Sequence, residues 1–434
     1  VSHDINVWPT NDFVNVDYDP PMTSATSSIA MTSRQASRRL GIKIETLYAY
    51  VSRGIVHSQP SADGRTSTFD PREIEALARR GRPRQSSRST SLSMLIETRL
   101  TSLSATGVRY RGLLSADLAL THTFEDVAEL LWLGRLGTSR EPWAGTAFEA
   151  EHGLGLGDSL RVTAARAAAH LPRATTFAAA DVAVVGRRLI ATLTDSLPIA
   201  GDGRVPRLVL PTDAISGGST ASAPLRSTIA GRVWTRLSPR RPSCGMLAVV
   251  NAALVLMADH DLATSTFAVR VAASTRADPG AVVNAGLGVL SGPLHGSAST
   301  ICRRMLDRAV EVGATRSVAE ILASGQHIPG FGHSVYVGVD PRAALLLDLL
   351  HRCSGRNRAI DIADDVHTAV VERIDQRANV DFALATLTMA TGMPLDGGEV
   401  IMSIARVAGW LAHAIEEYDE TALRFRPRAS YIGQ

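Results

Sequence analysis

Aromatic side chains are scarce in this chain, only 5% of its 434 residues. That removes the bulky β-formers a large sheet core draws on and favours helix. Cysteine is scarcer still: Cys244, Cys302 and Cys353 stand far apart, without metal-ligand spacing. This argues against a disulfide frame or a metal site and points to a reducing, cytoplasmic setting. No excess of one charge marks the whole chain, whose net charge is +3, so overall charge names no partner. Long hydrophobic runs are missing as well. The longest, Met246 to Ala258, contains Asn251 and is too short to span a bilayer. The first residues are acidic and lack an apolar signal core. There is no strand–helix alternation, no phosphate-cradling glycine loop and no fixed-period repeat. What the chain has in quantity is Ala, Leu and Val; 45% of residues are hydrophobic. That fills a large helical core over more than one domain's length.

Charge is unevenly spread. Residues 1–30 carry four Asp and no Lys or Arg, and their Pro, Asn, Ser and Thr content reads as a disordered extension. Residues 31–90 carry twelve basic residues against five acidic ones, leaving the remainder near balance. Within this basic stretch Thr32 caps a helix with Ala36 and Leu40 on one face, and Gly41 ends it. A second helix begins at Ile44 with Leu47, Tyr50 and Val51 together, and Arg53-Gly54 closes it. A turn-rich stretch follows, then Asp70-Pro71 opens a third helix through Ile74 and Leu77. Residues 31–85 thus outline a small winged helix-turn-helix module, and 86–94 a polar linker.

From Leu95 onward the pattern reads as helix after helix, so the expected fold is all-α. One stretch centres it: Ser291-Gly-Pro-Leu-His-Gly-Ser-Ala-Ser-Thr300, with His295 just ahead of a helix patterned by Ile301, Met305, Leu306 and Val310. The positive end of a helix favours a neutral imidazole there. His260 follows the long apolar run, and His333 lies in a glycine-flanked loop. Asp340-Pro341-Arg342 is a helix start. Asp381 follows Asn379 at another helix start, where the dipole is expected to keep it ionised. Arg406 interrupts an otherwise apolar helix and calls for an anion opposite it. Each has an ordinary structural explanation alone. Together, three histidines, a helix-terminal carboxylate and several arginines describe a site for a small polycarboxylate undergoing acid–base chemistry at carbon. The histidines' wide spacing argues against zinc.

These residues resemble the citrate synthase family. Gly292-Pro-Leu-His-Gly296, Gly330-Phe-Gly-His-Ser-Val-Tyr336, Asp340-Pro-Arg342, Asn379-Val-Asp-Phe382, Arg406-Val-Ala-Gly-Trp410 and Arg426-Pro-Arg428 carry the resemblance, which begins near Glu97-Thr-Arg99. It implies an all-α fold with a large domain (95–296 and 393–434) and a small one (297–392) that closes over the substrates. It also implies a homodimer with no cofactor and no membrane association. Asp381 would be the base that deprotonates an acyl-CoA such as acetyl-CoA or propionyl-CoA. His295 would donate to the thioester oxygen and His333 to the ketone of oxaloacetate. His260, Arg342 and Arg406 would hold its carboxylates, with Arg426 reaching in from the partner subunit. The sequence departs from the family's usual Asn residues at Ala263 and Ser299, and from a basic CoA-phosphate contact near Val337. These changes bear on substrate range and CoA affinity.

The 31–85 module, for its part, resembles MerR- and excisionase-like DNA-binding domains in Ala36…Leu40-Gly-Ile…Thr46-Leu-Tyr…Tyr50…Gly54-Ile55. On that resemblance Thr46, Tyr48, Ala49 and Arg53 would face a DNA groove, with Arg65 in the wing. Arg38 and Arg39 would add phosphate contacts. The leading expectation is an active synthase fused to a DNA-binding module. The alternative is a transcription regulator that uses a synthase-like body to sense a metabolite.

Overall fold

The computed structural model describes residues 30–61, 66–80, 95–104, 107–137, 141–149, 153–170, 176–202, 205–206, 208–211, 228–333, 335–336, 338–429 and 431–433. The extension 1–29, the linker 86–94, Arg65 and Val337 lie outside these residues.

The N-terminal module contains β1 (Met31–Thr32), α1 (Ser33–Leu40), α2 (Ile44–Ser52), β2 (Ser58–Pro60), β3 (Ser67–Phe69) and α3 (Pro71–Arg80). Thr32 and Gln35 form a capping box at the start of α1, and Gly41, left-handed at φ 62°, ends it. The strands pair antiparallel in the order β1-β3-β2, with Met31 opposite Phe69. Met31, Ala36, Leu47, Val56, Phe69 and Ile74 are buried together beneath them. This is the two-helix, hairpin and third-helix layout read from the sequence.

The module is docked on the body. Gln35 Nε2 and Arg38 Nη1 donate to the carbonyls of Ala323 and Ser324 (both 3.3 Å), and Arg72 Nε donates to that of Glu372 (3.1 Å). Arg39 forms a two-pronged pair with Glu75, its Nη2 2.6 Å from Oε2. Arg38 and Arg39, read as phosphate contacts, are therefore engaged with protein partners.

The body is predominantly helical, and one expectation needs correcting at its start. Residues 101–114 form an antiparallel meander, β4 (Thr101–Ser104), β5 (Gly107–Tyr110) and β6 (Leu113–Leu114). The pattern is locally clear: Thr101 is buried and Ser102 exposed, while Val108 and Tyr110 pack inward. The chain is thus not strictly all-α.

Helices α4 (Ser115–Thr121), α5 (Phe124–Leu133), α6 (Leu156–His170), α7 (Ala179–Asp195) and α8 (Ile229–Leu237) lead to α9 (Cys244–Met257). Residues 245–257 of α9 are all buried, as an element apolar on every side must be. Its one side-chain amide is bonded at both ends: Asn251 Oδ1 accepts from Phe124 N (3.0 Å) and Nδ2 donates to His122 O (2.9 Å). Across from α9, after α10 (Thr264–Ser274) and α11 (Pro279–Leu290), lies the last helix of the chain, Gly397–Tyr418, itself buried over most of its length. Gly409 sets their approach, since a Cβ there would stand 2.4 Å from the Ala258 carbonyl oxygen.

Between them come α12 (Ala298–Val312), α13 (Ala314–Ser324), α14 (Pro341–Ser354), α15 (Arg358–Ile374) and α16 (Val380–Thr391), with Gly397–Tyr418 as α17. In α12 the inward stripe is Ser299, Cys302, Met305, Leu306 and Ala309. Ile301 and Val310, read as part of that stripe, are exposed. Two loops then meet in a short ribbon. Phe331 bridges Ala378, Gly332 N donates to Arg377 O (2.9 Å), and Asn379 N donates to Gly330 O (2.9 Å). No helix among the described residues is long and apolar enough to cross a membrane.

Candidate active site

Six side chains from separate elements line one cleft of about 490 Å³: His260, His295, His333, Arg342, Asp381 and Arg406. All but Arg406 are delivered by a helix end or a turn. His260 follows α9, and Asp261 beyond it takes a left-handed φ of 55° that turns the chain away. His295 sits in the turn between α11 and α12, where its N–H donates to Gly292 O (2.9 Å). His333 ends one strand of the ribbon. Asp381 occupies the first turn of α16, its N–H donating to the capping Asn379 Oδ1 (2.9 Å). Arg342 opens α14 behind Asp340 and Pro341. Arg406 projects from the middle of α17.

Burial sets the electrostatics. His260 is driven well below the usual imidazole range by burial, then by Arg342, Arg406 and His333. Its Nε2 lies 2.9 Å from the Tyr336 hydroxyl. Burial, with Arg406 adding to it, lowers His295 to about 4, and its Nε2 is 2.8 Å from Ser265 Oγ. His333 is lowered by burial and by Arg342. Its Nδ1 accepts the backbone N–H of Val335 (2.9 Å), so the ring proton of the neutral form rests on Nε2, the side facing Arg342. The 3.3 Å approach of Arg342 Nη2 to that Nε2 is therefore a donor-to-donor contact. All three rings are neutral near pH 7, and His333 presents an N–H.

Asp381 departs from expectation. Burial raises its pKa to about 7, Asp340 adding to the rise while Arg342 and Arg406 oppose it. Desolvation penalises the charged form more than those two cations relieve it. A carboxyl that titrates near neutrality suits a proton acceptor.

Two carboxylates that the sequence does not assign to the site stand behind these groups. Asp340 grips Arg342 in a fork (Oδ1–Nε 3.0 Å, Oδ2–Nη2 2.8 Å) and accepts Val380 N at 3.1 Å, tying α14 to α16. Burial alone would raise its pKa, but Arg342 holds it below the usual carboxylate range. The Asp-Pro-Arg helix start was the signal, read only as a cap. Asp259 lies behind His260, buried and bonded to Thr101 Oγ1 and, at 3.3 Å, to His413 Nε2. Burial would raise it too, and His413 and Arg406 bring it down. Arg406 donates from Nε to Met257 O (2.8 Å), while its buried Nη2 has no partner. An unpaired buried guanidinium nitrogen is a donor reserved for an anion.

The other sequence-read positions fall as follows. Ala263 lines the cleft, and Ser299 is buried with its hydroxyl donating to Gly296 O (3.3 Å). Arg426 lies exposed in the C-terminal tail, outside the cleft of its own chain. Thr46, Tyr48 and Ala49 lie on α2, and Arg53 follows it, exposed. The Tyr48 hydroxyl is 2.9 Å from Ser33 Oγ. Among the described residues no group of three or more His, Cys, Asp or Glu side chains is placed to hold a metal.

Fold and cleft together define a predominantly helical protein with the groups for acid–base work on an anionic ligand. The chain belongs to the citrate synthase family: residues 93–428 match the family model for the citrate synthase C-terminal domain. A citrate synthase of Synechocystis is 38% identical over 204 residues, 45% of this chain and 51% of that protein, so this match spans about half the relative's length. A citrate synthase of Acidithiobacillus ferridurans is 29% identical over 352 residues, 75% of this chain and 89% of that one. The solved ternary complex of Thermoplasma acidophilum citrate synthase with carboxymethyl coenzyme A and oxaloacetate superposes with a TM-score of 0.61 at 22% identity. That comparison covers 79% of this chain and 94% of the other.

Proposed function

We propose that the protein is a citrate synthase that condenses acetyl-CoA or propionyl-CoA with oxaloacetate, releasing citrate or 2-methylcitrate and CoA. One observation carries this reading: Asp381, His295 and His333 share a cleft with Arg342 and Arg406. The Thermoplasma relative binds oxaloacetate and a CoA analogue together. In the reaction Asp381 takes a proton from the carbon next to the thioester carbonyl, and His295 donates one to the thioester oxygen. The resulting enol attacks the ketone carbon of oxaloacetate and returns its O–H proton to His295 as the thioester carbonyl reforms, while the His333 N–H stabilises and then protonates the new alkoxide. Water finally cleaves the thioester. Arg342, Arg406 and His260 orient the dicarboxylate, and Arg426 from the partner subunit of a homodimer completes the clamp. Ala263 leaves the cleft wall without the amide usual in the family. No cofactor beyond the CoA substrate is required.

The reading is tested by following CoA thiol release from each thioester with and without oxaloacetate. Release that depends on oxaloacetate is expected. Release that ignores oxaloacetate, or none with either thioester, contradicts it.

The 31–85 module adds a finer part to the proposal, DNA binding through α2. Supporting it, the docking bonds come from α1 and α3, while Tyr48 and Arg53 are exposed. Retardation of duplex DNA by the full protein, weakened in Arg53→Ala and by salt, is the expected result. No retardation at low salt removes this part alone.

A further inference from the structure

Glu75 belongs to the N-terminal module, yet it is only 1% exposed and faces the body. It accepts from Nε and Nη2 of Arg39 and, at 2.9 Å, from Nε2 of Gln376. Gln376 opens the 376–379 segment of the ribbon. The opposite segment, 330–332, leads directly into His333, and Asn379 Nδ2 donates to Gly332 O (2.9 Å). Asn379 also caps the turn that holds Asp381. This short ribbon thus leads into two of the three proposed proton-handling groups, and the N-terminal module holds Gln376 at its entry.

The contact is tightly fitted. Gln376 Oε1 stands 3.2 Å from where a Cβ on Gly332 would sit, at a glycine whose φ is 75°. The side chain therefore lies beside Gly332, the residue before His333, and its buried Oε1 has no hydrogen-bond partner. His327 crowds the same spot, its Nε2 3.7 Å from that Cβ position. A buried carboxylate survives only when paired and hydrogen-bonded, so Glu75 commits Arg39 and Gln376 to one arrangement.

We infer that Glu75 is a positioning residue for catalysis and that the N-terminal module is a working part of the active site, holding the His333–Asp381 ribbon through Gln376. The inference rests on reading the cleft as the condensing site. It gives the module a task whether or not the module binds DNA. Whatever engages the module and shifts Glu75 therefore alters turnover.

The experiment compares Glu75→Ala, Glu75→Gln and Gln376→Ala with the unaltered full chain, measuring kcat, KM for oxaloacetate and melting temperature. Because misplacement of about 1 Å costs on the order of a hundredfold, Glu75→Ala and Gln376→Ala are expected to lose at least about tenfold in kcat. The oxaloacetate KM should change less than about threefold, since Arg342, Arg406 and His260 are untouched. Glu75→Gln keeps an acceptor for the Gln376 amide but removes Arg39's counter-charge. It should keep most of kcat while melting lower. A merely structural role would make kcat follow melting temperature through the series. Gln376→Ala leaves the Arg39–Glu75 pair whole, so it decides the matter if the Glu75 variants fail to fold. Wild-type kcat in folded Gln376→Ala overturns the inference alone. Absence of turnover in the unaltered protein contradicts the reading of the cleft and removes the inference with it.

Discussion

The cleft's chemistry turns on how far burial moves a few groups. Asp381 must be ionised to accept a proton, and with its pKa raised to about 7 it loses that form on mild acidification. His295, lowered to about 4, stays neutral throughout. We therefore expect kcat/KM with saturating oxaloacetate to fall about tenfold per pH unit below pH 7. A profile flat down to pH 5 would show that another group takes the proton. The residue types at the site were legible because each stands in a short motif with a helix start or a turn. The titration of Asp381 was not: helix position argued for a charged carboxylate, and only the surrounding fold reveals the desolvation that outweighs it. Asp340 shows the same limit, since its fork onto Arg342 depends on rotamers that a cap signal does not encode.

Among elements, the crossing of α9 and α17 does most to place the carboxylate-binding side. Gly409 allows α17 to lie against Ala258 and Asp259, one residue from His260. Gly409→Ala would force the helices apart at an overpacking cost of about 1–3 kcal/mol. It should lower the melting temperature and raise the oxaloacetate KM together. An unchanged KM in a destabilised protein would detach this crossing from the site. The starts of α14 and α16 were readable from Asp340-Pro341 and from the run Asn379-Val380-Asp381, because helix-start signals are local chemistry. The β4–β6 meander was not, since strands of two to four residues are too short for alternation to show against a helical background. The α12 stripe was misassigned because Ile301 and Val310 are as apolar as the residues that face inward.

For the whole molecule, a cleft ready for proton transfer carries a cost in stability. Asp381's folded pKa of about 7 lies above its unfolded value, so its ionisation weakens the fold progressively as pH rises through that interval. Asp381→Asn should consequently melt higher than the unaltered chain at pH 8 and by a smaller margin at pH 5, where the folded carboxyl is neutral but the unfolded one is still largely ionised. Equal melting at both values would mean that burial costs the ionised group nothing. The docking of the N-terminal module also belongs to this scale. Its arginines read as a free basic surface because a sequence gives their charge and not the carbonyls of Ala323, Ser324 and Glu372 that receive them. The module's internal layout was legible, its seat on the body was not.

The most direct test of the account is CoA release from acetyl-CoA in the presence of oxaloacetate, compared between the unaltered protein and Asp381→Asn. A drop in kcat of about 10²–10⁴, with oxaloacetate still raising the variant's melting temperature, is predicted. Turnover within a few-fold of the unaltered protein would contradict the assignment of Asp381, and with it the mechanism built on this cleft.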